Sequence, residues 1–311
     1  MAQQTLPNAG YKGKITLQEL PNGLVLMYPY SNSSVVERRD VITPSVNGFP
    51  GQIGITLGAK IREGGISMPV LGVAMLQTLL GFFKSETARN KRYEIAIDSG
   101  FNVQKFQCYM KSLSISADPG QGVNAELGII GGVVDVGDIN PTKYEAGNAT
   151  WTPNGTFFNS YIGLSHIPFY KTNVISANDD GLASSGNLWR LVSGWSFSVD
   201  NNTGSAMVTA MGGNDDAGYK LHQGQQVGEG KITLLNPFVN SDNSNLPDWS
   251  KLNITVTDVA NASTIITLFR CINHAYGVQL PDPNTRITQS ISFTLTTSSD
   301  SSVDHILFNY T

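Results

Sequence analysis

Histidines, cysteines and adjacent carboxylates are the residues here whose types could do chemistry, and their spacing decides what chemistry is open to them. His166, His222, His274 and His305 are scattered. There is no His-x-x-x-His pair and no neighbouring Cys pair, so no zinc site is assembled. Cys108 and Cys271 cannot form a disulfide framework, and each reads as a small buried apolar residue on a strand. Asp179-Asp180 and Asp215-Asp216 are paired only in sequence, because consecutive strand residues face opposite ways. No Gly-x-Ser-x-Gly elbow is present. The glycine-rich run Gly224 to Ile232 misses the phosphate loop twice: Gln225 replaces its first glycine, and Ile232 replaces the Ser or Thr that would hold magnesium. Trp195 and Trp249 read as core aromatics rather than ligand-stacking ones. The expectation is a protein that is not an enzyme, with no catalytic residue, metal or cofactor.

The chain that must position these residues has 311 of them, enough for two domains. Charged residues make up 14% and hydrophobic residues 40%. The first figure is well below the roughly 25% of ordinary soluble domains. The polar share is filled with Ser, Thr, Asn and Gln, a balance that suits strands and turns rather than disorder. A net charge of −4 argues against affinity built on gripping phosphates. The first residues show no basic segment followed by an apolar core, so the expectation is synthesis in the cytoplasm without a secretion signal. The apolar stretch Met68 to Phe83 is interrupted by Gly72, Gln77, Thr78 and Gly81, which disqualifies it as a membrane span.

Period-two alternation dominates. It runs through Tyr93 to Ile97, Phe106 to Ser116 and Val123 to Ile130, with turns at Asp98-Ser99-Gly100 and at Asp118 to Gly122. The second half predicts a similar hairpin, Trp195 to Val199 followed by Ser205 to Met211. Leu71 to Lys84 places Leu76, Leu79, Leu80 and Phe83 on one helical face and predicts the one clear helix. A short helical turn is expected near Asp248 to Leu252, entered through Pro247. Three matches occur in the same order in both halves. Glu63-Gly64-Gly65-Ile66-Ser67 resembles Glu229-Gly230-Lys231-Ile232-Thr233, Ile95-Ala96-Ile97 resembles Ile254-Thr255-Val256, and Phe106-Gln107-Cys108 resembles Phe269-Arg270-Cys271. They point to a tandem duplication, with a first β domain at 1–140, a linker or insertion at 141–187, and a second β domain at 188–311.

Ser193 to Asn202, containing Ser-Phe-Ser-Val-Asp-Asn-Asn, followed by a glycine-rich stretch and Gly228-Glu229-Gly230-Lys231-Ile232-Thr233-Leu234, resembles tail tube proteins of long-tailed bacteriophages. The first half is similar less closely, through the helix, the strand pair and Lys111 to Ser116 leading into Val123 to Gly132. The resemblance covers most of 35–140 and 188–311. The doubled length matches fused double-domain subunits of that family, whereas the second half departs from its pattern by lacking a long helix.

The resemblance implies a mainly β chain of two tail-tube-type β-sandwich or split-barrel domains. Their inner sheets would join in a ring, and rings would stack into a tube through which DNA leaves the capsid. Six domains with about four inner strands each, at about 4.8 Å per strand, make a wall of roughly 115 Å circumference and roughly 37 Å across. Three chains would then close a ring with pseudo-sixfold symmetry and pair their exposed edges. The implied location is the virion tail, and the implied partners are further copies of the chain, the tape measure protein, tail-end proteins and DNA that passes without specific binding. A tail terminator or a distal tail or baseplate ring protein of similar fold is the alternative; a β-sandwich carbohydrate-active enzyme is a more distant one. Asp118, Glu126 and Asp200 are the lumen-facing candidates, each of which also reads as a solvated turn carboxylate. The polar Gly212 to Gly228 loop is the candidate for ring stacking, through Asn214, Asp215, Asp216, Tyr219 and Lys220.

Overall fold

Alternation of apolar and polar side chains, repeated in strand after strand, produces a mainly β architecture. The computed structural model describes residues 14–20, 25–42, 56–98, 103–117, 122–132, 171–179, 192–207, 219–222, 224–234, 249–257, 262–279, 288–296 and 307–311. The first half comprises β1 (Lys14–Glu19), β2 (Val25–Pro29), β3 (Asn32–Ser33), β4 (Val36–Ile42), β5 (Thr56–Pro69), α1 (Val73–Gly81), α2 (Glu86–Arg89), β6 (Tyr93–Asp98), β7 (Val103–Ala117) and β8 (Val123–Gly132). The second comprises β9 (Lys171–Asp179), β10 (Val192–Asp200), β11 (Gly204–Met207), β12 (Tyr219–His222), β13 (Val227–Leu234), β14 (Trp249–Thr257), β15 (Ser263–Gln279), β16 (Thr288–Leu295) and β17 (Phe308–Tyr310).

All but β11 and β12 belong to one 15-stranded sheet, and the described neighbours within it pair antiparallel. β16 shows why such strands form: every second residue, from Gln289 to Leu295, is buried. Helix α1 buries Leu76, Leu79 and Leu80, and Phe83 beyond its end is buried with them, as their spacing predicts. Ser85 caps the short α2 by accepting from the Ala88 N–H at 3.2 Å.

The order of ladders occurs twice. In the first half β1 pairs β6, β6 pairs β7, β7 pairs β8, β8 pairs β5 and β5 pairs β4. In the second β9 pairs β14, β14 pairs β15, β15 pairs β16, β16 pairs β13 and β13 pairs β10. The long strands β7 and β15 change partner half-way along, and each does so near a bulge. The register slips at Lys111 in one and at His274 in the other, each the third residue after its cysteine. Cys108 lies opposite Tyr93, and Cys271 opposite Trp249.

Two of the three sequence matches occupy equivalent rungs. Gly65-Ile66 lie opposite Gly128-Leu127, and Lys231-Ile232 opposite Ser292-Ile291. The third match holds by strand only, since Ile95 faces Phe106 whereas Ile254 faces Ile266. Arg270, with a φ of 43°, interrupts the alternation without shifting the β14–β15 register, so that Leu268 and Cys271, three residues apart, are both buried.

Four expectations need correction. Asp248 to Leu252 is not a helical turn where it is described: Trp249–Thr257 is a strand, because Leu252, Ile254 and Val256 alternate into the core and both edges find partners. Trp195 to Val199 does not pair with the strand that follows it. β10 lies between β7 and β13, while β11 pairs with β12 in a separate two-stranded sheet. The linker 141–187 contains β9, which completes the outer edge of β14. The loop Gly212 to Gly228 contains β12 and the start of β13.

A candidate assembly surface: one polar face, an internal seam and two strand edges

Because opposite residues of an antiparallel pair point to the same side, the ladders specify which side chains share a face. One rung row runs Ser67, Glu126, Ser114, Ser198, Glu229, Thr294 across β5, β8, β7, β10, β13 and β16. The neighbouring polar row runs Asn124, Ser116, Ser196, Lys231, Ser292. None of these side chains is buried. Between them lies the apolar row Met68, Ala125, Ile115, Phe197, Gly230, Phe293, pointing the other way into the core. One wide sheet therefore carries a continuous hydroxyl-and-carboxylate face through both halves of the chain.

Glu126 and Asp200, expected from sequence, share that face: Glu126 is opposite Ser114, and Asp200 is opposite Ser112 on the same strand. Glu126 is exposed and Asp200 half-buried, its Oδ1 accepting from the Asn202 N–H at 2.7 Å. Glu229 is a third carboxylate of the face that sequence reasoning missed. Its alternation with the core residue Ile232 in a glycine-interrupted strand was the available signal. Asp118, Asn214, Asp215 and Asp216 lie outside the described residues. Tyr219 and Lys220 sit on β12, opposite Met207 and Ala206.

The seam between the halves is the β7–β10 ladder, from Trp195 opposite Ala117 to Asp200 opposite Ser112. Trp195, Phe197 and Val199 bury one side of it, with Phe197 tilted against Phe308 at 6.1 Å between ring centroids. Beyond its end the chain forms a buried polar knot. Asn201, fully buried, donates its side-chain amide to the Met110 carbonyl at 2.9 Å and its backbone N–H to the Lys111 carbonyl at 2.9 Å. Gln226 donates to Asn201 Oδ1 at 3.1 Å and to the Phe83 carbonyl at 3.2 Å. Asn202 adopts a φ of 48°, a left-handed conformation that asparagine tolerates, and so turns the chain out of the ladder. The motif Asp200-Asn201-Asn202 is thus a device that ends β10 and fastens it to the bulge of β7.

Besides β2 and β9, which end the sheet order, two edges within the repeated ladder order have no neighbouring strand among the described residues. β4 has one ladder partner, β5, and the second half of β15 from Ala275 onward has one, β16. Val36, 59% exposed, and Ile272, 44% exposed, are large apolar residues on these strands. Glu37 of β4 pairs with Arg62, directly opposite on β5, at 2.8 Å, with the guanidinium 5.1 Å from the Phe106 ring centre, and Lys111 pairs with Glu63 across the bulge.

The buried thiols take no part in this surface. Burial pushes the Cys271 thiol up to about 12 and raises that of Cys108. Trp195 and Trp249 are both core residues, as expected. Among the described residues no group of three His, Cys, Asp or Glu is placed to hold a metal ion, and no helix is long and apolar enough to cross a membrane. No family model matches the chain, and no curated protein matches it.

Proposed function

We propose that this protein is a structural subunit that closes into rings and stacks into the tail tube of a long-tailed bacteriophage, a conduit for DNA between capsid and host. The observation that carries the reading is the polar face that runs unbroken through two like sets of strands. The polar rows cross six strands of the sheet, and with β4 and β15 at its two sides each half offers four strands, β4-β5-β8-β7 and β10-β13-β16-β15, the number the ring geometry calls for. Three copies bring 3 × 8 strands, which at about 4.8 Å each make a wall of roughly 115 Å around. A duplex passes through a tube of that girth.

The chemistry of such a wall is electrostatic and sequence-blind. In the two polar rows and at Asp200, three carboxylates (Glu126, Asp200 and Glu229) face one lysine, Lys231. Serine and threonine supply the rest, so a passing phosphate meets little that would hold it. No bond is made or broken. The tape measure protein and tail-end proteins are the further partners this reading supplies, and the virion tail is its location.

Negative-stain electron microscopy of the purified full chain tests it. Long hollow filaments with threefold or pseudo-sixfold rings are expected. Isolated rings that never stack would favour a terminator or a distal tail ring, and particles that stay monomeric at every concentration would refute both.

A further inference from the structure

The second half repeats the first closely enough to say what its free edge is shaped for. Equivalences follow from shared rungs: Glu63 and Glu229 occupy like positions on β5 and β13, so their cross-strand partners Val36 and Ser198 do too. The bulges at Lys111 and His274 match Ser112 with Ala275, and hence Ser114 with Gly277 and Ser116 with Gln279. Inside the chain, the first edge is occupied: β7 receives β10, with Ser198 opposite Ser114. The like edge, on β15, has no described strand against it.

We propose that this edge, Ala275 to Gln279 of β15, receives the β3–β4 segment of a second copy of the chain, in the register that β7 and β10 use within one chain. The proposal rests on the ring-forming reading and names the edges that ring would use. Transferring the internal register places Val36 opposite Gly277, Val35 opposite Val278, and Arg38 opposite Ala275. The chemistry agrees on both sides. Val35, which packs on the core, takes the place of Phe197 and meets Val278 in the place of Ile115. Val36 takes the place of Ser198 on the outward face, where it is 59% exposed, and the backbone edge of β4 beyond it has no described partner. The occupant is another copy of this chain because the docking strand and its acceptor are two ends of one repeat. A single copy carries one of each, so copies join head to tail until they close.

Cysteine pairs test the register. Directly opposite residues sit within disulfide reach, whereas a partner two rungs along is about 7 Å or more away and pairs poorly. The full chain carrying both Val36→Cys and Gly277→Cys is assembled and then oxidised with copper phenanthroline in air, dioxygen taking the electrons and protons of each thiol pair. A covalent series of chains that ends at a closed ring is expected, forming at least about tenfold faster than with the displaced pair Val36→Cys and Gln279→Cys. Ser114→Cys with Ser198→Cys, the internal counterpart, is to cross-link within one chain, showing that the fold and the oxidation are intact. Rings visible by microscopy that cross-link no faster through Gly277 than through Gln279 would overturn the edge assignment while leaving the ring reading in place. A chain that cross-links internally yet remains monomeric would overturn both.

Discussion

Replacing Asn201 with alanine isolates the knot that fastens the two halves. The substitution removes the Nδ2 bond to the Met110 carbonyl at 2.9 Å and the Oδ1 acceptor of the Gln226 amide at 3.1 Å. Each bond is worth about 1 kcal/mol net, and a buried group left without its partner adds a penalty of about 1–3 kcal/mol. Asn201 is fully buried and Gln226 nearly so, so water does not readily replace either bond. The expected loss is about 2–4 kcal/mol of unfolding free energy. Urea denaturation of the full chain reads it as a shifted midpoint at unchanged slope, across a protein concentration series so that assembly is separated from folding. Gln226→Ala in the Asn201→Ala background is to cost less than it does alone, with a coupling of about 1 kcal/mol. Asn202→Gly is the control: glycine keeps the left-handed backbone and removes only the exposed bond from Asn202 Nδ2 to the Gln225 carbonyl, so it costs less than about 1 kcal/mol. A loss below about 0.5 kcal/mol for Asn201→Ala, or strict additivity with Gln226→Ala, refutes the knot.

Three further outcomes are expected. Gly230→Ala puts a Cβ within 2.2 Å of the buried Phe293 ring and is to cost about 1–3 kcal/mol, whereas the Cβ of Gly81→Ala meets the Tyr310 hydroxyl at 3.2 Å and changes stability by less than about 1 kcal/mol; thermal melts compare them. Glu126→Lys with Glu229→Lys, both exposed, is to leave the melt unchanged and turn assembled particles into salt-sensitive binders of short duplex DNA, read by anisotropy; unchanged binding removes the lumen role of this face. Burial raises the Cys271 thiol from 9.0 to about 12 and also raises Cys108, Tyr28 and Tyr93, so the folded state keeps protons that the unfolded state releases. Stability is therefore full below pH 9 and falls as pH rises from there, and a melting temperature constant from about pH 8 to about pH 11 contradicts that burial.

Much of the local structure was legible because burial imposes a period. Leu113, Ile115 and their neighbours alternate with serines, and Leu76, Leu79, Leu80 and Phe83 recur at helical spacing. Alternation reports which face a residue takes, not which strand lies beside it. That is why alternation alone suggests a hairpin of β10 with the next strand, whereas its partners are β7, from the other half, and β13. Pro247 reads as the entry to a helical turn over Asp248 to Leu252, yet the β-branched run Ile254-Thr255-Val256-Thr257 and partners on both edges make Trp249–Thr257 a strand. Of the candidate carboxylates, Glu126 and Asp200 fall on one face because their strands share the neighbour β7. Glu229 joins them through β10, a pairing that sequence alone does not reveal. The burial of Asn201 was hidden for a similar reason: an asparagine after a strand reads as a turn residue, and only tertiary packing brings Met110 and Gln226 to it.

The internal seam and the proposed one between copies differ in a way that fits their different duties. Where the internal strand presents Trp195, Phe197 and Val199 to the core, the rungs shared with β5 and β13 place Ser33, Val35 and Glu37 at the like positions of the docking strand. Where Asn201 locks β10 to the bulge of β7, the like position before the β4 irregularity is Arg39. The ladder of backbone hydrogen bonds is common to both, but the apolar side chains and the buried knot belong to one alone. Burying a tryptophan and a phenylalanine contributes several kcal/mol that a serine and a valine do not match. The junction inside the chain is thus set at folding. A junction that must wait for a second copy gains from being weaker, since a misplaced subunit can then leave and rebind before the ring closes.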